Sequence, residues 1–124
     1  DRVDRIGDTL RVIDYKTGSV QDTNLSLQSM EDMRQPKDKN KSLQLLMYAL
    51  FYHKNHDWNA DLQAGIISLR NVGAWPIPLK VNRNTNISPE LIDSFEGFLV
   101  TLMEELFDPT IPFSKKLLTL ESDE

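Results

Sequence analysis

The chain has 124 residues, with 14 Lys and Arg against 19 Asp and Glu, a formal charge of −5 with its two histidines neutral. Its 40% hydrophobic and 27% charged content is that of one soluble globular domain, and the lack of an 18-residue apolar run or a basic-then-apolar leader argues against a membrane span or signal peptide. With no cysteine, disulfide scaffolds, thiolate zinc sites and cysteine nucleophiles are excluded, and the acidic balance disfavours wholesale wrapping of nucleic acid.

The chain opens at Asp1, without Met and directly in strand-like sequence, DRVDRI, so the expectation is a single domain, residues 1–124, belonging to a longer protein. Val3 and Ile6, then Leu10, Val12 and Ile13, flank Gly7-Asp8, and Gly at the first central position suits a type II′ hairpin turn. Pairing Ile6 with Thr9 makes opposed numbers sum to 15: Val3 faces Val12, Asp4 faces Arg11, and Asp1 faces Asp14. Residues 17–41 are polar and turn-rich and read as a long loop with a short irregular helix near Leu27 to Met33. Ser42 is the expected N-cap of a helix over 42–56, apolar on most of its surface. Residues 62–70 carry the apolar run of a sheet strand. Residues 77–81 read as an edge strand that tolerates Pro78, the two forming a second hairpin. Ser88-Pro89-Glu90 opens a second helix, 89–107, with Ile92, Phe95, Leu99, Leu102 and Leu106 at helical spacing.

The chemistry concentrates in VIDYKTG, residues 12–18. Asp14 and Lys16 are two apart on a strand and share a face, with Ile13 and Tyr15 on the other. Two neighbouring carboxylates, Asp14 and Asp1, are costly to keep ionised together without a cation. Magnesium, which takes oxygen ligands and shares its shell with phosphates, is the natural ion, with manganese its substitute. A lysine beside it suits orientation of an attacking water and compensation of phosphoryl charge.

Asp1, thirteen positions to IDYKTG at 13–18, then QLLMY at 44–48 together resemble the PD-(D/E)XK nuclease superfamily, in particular nuclease domains of the RecB and AddB type. The resemblance implies a restriction-endonuclease-like α/β fold, a mixed sheet flanked by helices and truncated at its N-terminus. It implies Asp1, Asp14 and the Tyr15 carbonyl as metal ligands, Lys16 as catalytic, and Gln44 and Tyr48 of the Q-x-x-x-Y helix bordering the site. The implied activity is metal-dependent hydrolysis of DNA, exonucleolytic and cytoplasmic, within a larger helicase–nuclease acting in DNA repair and recombination with a partner subunit. The family's upstream His or Glu is not in this sequence.

Other readings stand beside this one. Lys16 is also a candidate structural ion-pair partner of Asp14, and Gln44 and Tyr48 are candidate packing residues. Asp4 reads as a cross-strand partner of Arg11. Lys37, Lys39 and Lys41 divide between a solvated run and a phosphate track for DNA. His53 and His56 read as structural, and Trp58 and Trp75 as packing residues. The alternative function is a catalytically inactive nuclease-fold module that binds DNA or scaffolds a partner; a restriction-type endonuclease with its own sequence readout is a third.

Overall fold

The computed structural model describes residues 2–34, 36–56, 61–70 and 76–110, with the backbone alone for 36–38. Strand β1 (Arg2–Ile6) turns into β2 (Thr9–Lys16) through Gly7, whose φ of 59° is what the first central residue of a type II′ turn requires. The antiparallel register runs from Ile6↔Thr9 through Val3↔Val12 to Arg2↔Ile13, as the turn chemistry implied.

The chain then makes a 3-10 helix (Asp22–Leu25), the two-residue strand β3 (Ser26–Leu27) and a second 3-10 helix (Met30–Arg34). Residues 17–41 are therefore not one loop: Leu25, Leu27 and Met33 are buried in the core. Helix α1 (Pro36–Asn55) begins six residues earlier than the apolar run suggests, because its first turns are polar and lack the hydrophobic period that marks a helix in sequence. Ser42 is not its N-cap. It lies fully buried inside α1, and its hydroxyl donates to the Asn24 carbonyl at 2.7 Å.

Strand β4 (Asp61–Ser68) pairs parallel with β2 along its whole length, from Thr9↔Asp61 to Lys16↔Ser68. Strand β5 (Ile77–Pro78) returns antiparallel on β4, giving a mixed sheet in the order β1-β2-β4-β5. The expected single strand over 77–81 is divided: Leu79 is buried and donates its N–H to the Ala64 carbonyl at 2.8 Å, while β6 (Lys80–Val81) pairs parallel with β3 in a separate two-stranded ladder. Helix α2 (Pro89–Leu106) starts as its sequence signals, with the Ser88 hydroxyl accepting from the Leu91 N–H and proline in the first turn.

One face of the sheet, carrying Leu10 and Val12 of β2 and Leu62, Ala64 and Ile66 of β4, shares a hydrophobic core with Leu45, Leu46 and Ala49 of α1 and Ile92, Phe95 and Phe98 of α2. The architecture is α/β, a mixed sheet with helices, as expected for a restriction-endonuclease-like fold. Among the described residues no helix is long and apolar enough to cross a membrane.

Candidate active site

Pleating puts Asp14 and Lys16 on the same face of β2 as the core residues Leu10 and Val12, at the end of the strand where that face runs out toward solvent. The end is held in place by β4. Leu69 N–H donates to the Lys16 carbonyl at 2.8 Å, and the Ser68 hydroxyl donates to the Gly18 carbonyl at 3.0 Å. Because successive carbonyls of a strand point to opposite edges, the Tyr15 carbonyl is directed away from β4, toward the β1 side.

Lys16 joins the sheet to α1. Its ammonium donates to Gln44 Oε1 at 2.9 Å and stands 3.0 Å from Asp14 Oδ2. Asp14 is 4% exposed, whereas the Lys16 side chain keeps 29% of its surface, so the carboxylate is enclosed and the ammonium still reaches water. The Lys16–Asp14 contact is an ion pair without hydrogen-bond alignment, and Oδ2 of Asp14 accepts no hydrogen bond among the described residues. Burying a carboxylate oxygen without a donor is costly. A carboxylate oxygen in that condition is a hard donor that suits magnesium or manganese rather than a thiophilic metal. Among the described residues no group of three or more Asp, Glu or His side chains gathers around it, and Asp1 lies outside the described residues.

The other site candidates fall at different distances from this centre. Tyr48, one helical turn beyond Gln44, packs against the core, and its hydroxyl makes no hydrogen bond to Asp14, Lys16 or Gln44. The lysine run is not a loop track. Lys39 and Lys41 lie in α1, two positions and about 200° apart around its axis, and the Lys39 ammonium donates to the carbonyls of Thr23 and Ser26 at 2.6 and 2.9 Å. The side chain of Lys37 is outside the described residues. Asp4 is on the opposite sheet face, where Arg11 grips it with two hydrogen bonds of 2.8 Å. These bonds hold the Asp4 carboxyl below its usual range against partial desolvation, with the charges of Arg11 and Arg2 assisting. His56 stacks on Tyr52 with ring centroids 4.3 Å apart, a packing role. Trp58 and Trp75 are outside the described residues.

The resemblance sets Gln44 at the border of the site, and the structure gives its amide oxygen to Lys16. Ser68 as an anchor of the site carries no motif, since only the β2–β4 register brings it there.

No curated protein and no solved structure matches the chain. Residues 1–116 match the PD-(D/E)XK nuclease superfamily. That span includes the strand bearing Asp14 and Lys16 and the helix bearing Gln44, and the mixed sheet flanked by helices agrees with it: the chain belongs to the PD-(D/E)XK nuclease superfamily.

Proposed function

We propose that this domain hydrolyses DNA phosphodiesters with a divalent metal, magnesium or manganese, as the exonuclease part of a larger RecB- or AddB-like helicase–nuclease acting on DNA ends in the cytoplasm. The observation that carries the reading is the Lys16 ammonium suspended between the buried Asp14 carboxylate and Gln44 on a different element, at 3.0 and 2.9 Å. Asp14, Asp1 and the Tyr15 carbonyl are the residues proposed to hold the metal, which when bound supplies Lewis-acid polarisation of the phosphate and a more acidic water. Lys16 orients the attacking water and offsets charge on the phosphoryl oxygens. Gln44 fixes where the ammonium points, and Tyr48 borders the substrate from the next turn of α1.

The direct Lys16–Asp14 ion pair also favours a second reading, a non-catalytic module in which the two charges neutralise one another. Cleavage by the original chain, absent in the second reading, decides between them, and Lys16→Ala then tests the role of the lysine. Cleavage of labelled DNA with Mg2+ is expected to fall by about 10²–10⁴-fold while Mn2+ binding is retained, and Asp14→Ala is expected to lose both. Full cleavage by Lys16→Ala overturns the catalytic assignment.

A further inference from the structure

Beyond the Asp14–Lys16 centre, a cleft of about 1050 Å³ opens beside the β3–β6 ladder, lined among others by Gln28, Ser29, Asp32, Lys39, Lys80 and Arg83. Its charges are unbalanced. Lys80 and Arg83 make no hydrogen bond or ion pair among the described residues, and Asp32 turns back to accept the Gln28 N–H at 2.7 Å. Lys39 is fixed by two backbone carbonyls, and an ammonium has three donors, so one remains. Three cations against one acid give the lining a net positive charge, in a chain of net charge −5.

Arg83 is also where an arginine is disfavoured. Asn82 and Arg83 have φ of 50° and 67°, and reciprocal bonds of 3.0 Å between Val81 and Asn84 close the turn around them. Such a two-residue turn takes Gly at its second position, because the left-handed region clashes with a side chain. A long cation there costs stability and gains no hydrogen bond or ion pair among the described residues. An outside anion gives that placement a physical reason.

We infer that this cleft binds the phosphate backbone of a nucleic-acid strand, with Lys80 and Arg83 as its free cations. The inference rests on the nucleic-acid reading above and extends it to a second contact region. The lining offers Lys, Arg, Ser, Asn and Gln without an aromatic platform, which suits backbone positioning and not base readout. Helix α1 carries both Lys39 of the cleft and Gln44 of the candidate site, five residues or about 7.5 Å of helical rise apart.

The test is binding of a labelled oligothymidine to the 124-residue chain in EDTA, followed by anisotropy across a salt series. Against the original chain, Lys80→Ala combined with Arg83→Gly is expected to weaken binding and flatten the slope of log K against log salt by about 1.4, two contacts at about 0.7 each. Glycine suits the left-handed turn, so Arg83→Gly alone should melt no lower than the original. A double variant with unchanged affinity and slope overturns the cleft assignment. Failure of the original chain to bind at all overturns the nucleic-acid reading with it. A double variant that loses only pyrophosphate binding, measured in parallel, reassigns the cleft to free phosphate and also overturns the strand proposal.

Discussion

Lys16 gains its direction from a partner 28 residues away in sequence, Gln44, and that long-range bond is what separates this D-x-K from the many that occur in strands by chance. Gln44→Leu removes the acceptor while preserving bulk. We expect kcat to fall about 10–100-fold with KM nearly constant, and Gln44→Glu, which keeps an acceptor oxygen, to retain most of the rate; equal losses in both variants, or a change confined to KM, would show that Gln44 does not act through Lys16. On the opposite sheet face, Asp4 is held below the usual carboxylate range by the Arg11 hydrogen bonds. A depressed folded pKa means stability that is present above the unfolded value of about 3.9 and lost as pH falls through the folded one. Asp4→Asn should therefore lower stability by about 0.5–1 kcal/mol at neutral pH and by progressively less in acid, read from paired thermal melts. The Asp14–Lys16 face was legible from strand alternation, and the Asp4–Arg11 pair from the hairpin register that the Gly7-Asp8 turn sets. Gln44 as the holder of Lys16 was not, because no local rule relates a helix residue to a strand residue across the core.

At the level of elements, legibility follows the strength of local chemistry. The β1–β2 register was readable because Gly7 leaves one turn geometry, and α2 because Ser88 and Pro89 mark its first turn. The start of α1 was hidden by a polar first turn, and β3 and β6, two residues each, are too short to show a period. Their pairing exists only through tertiary packing around Leu25, Leu27 and Leu79. The β4–β5 contact has its own signature in Gly65, where a Cβ would come within 2.7 Å of the Ile77 carbonyl oxygen. That neighbour is backbone and cannot rotate away. Gly65→Ala is expected to push β5 off the sheet and cost about 1–3 kcal/mol, seen as a lower melting temperature and faster amide exchange at Leu79, whose N–H bonds to Ala64. An unchanged melting temperature would show that β5 can shift at no cost.

Across the whole molecule, the strand bearing Asp14 and Lys16 depends on a partner that comes late. Every pair of the β2–β4 ladder, from Thr9↔Asp61 to Lys16↔Ser68, is offset by 52 residues. Contacts of such long separation must wait for a large loop to close. A chain ending at His56 contains Asp14, Lys16 and Gln44 but lacks the strand that pins the end of β2. Trypsin is expected to cut it rapidly after Lys16, whereas the full chain resists; equal resistance would mean that β1 and α1 suffice.

The same offset has a temporal meaning when the protein is made. A ribosome adding about 5–20 residues per second needs roughly 3–10 s to travel from Lys16 to Ser68, and through that interval the end of β2 lacks its β4 partner. The Asp14–Lys16 corner is thus among the last parts of the sheet to be completed, finished only when β4 emerges and docks.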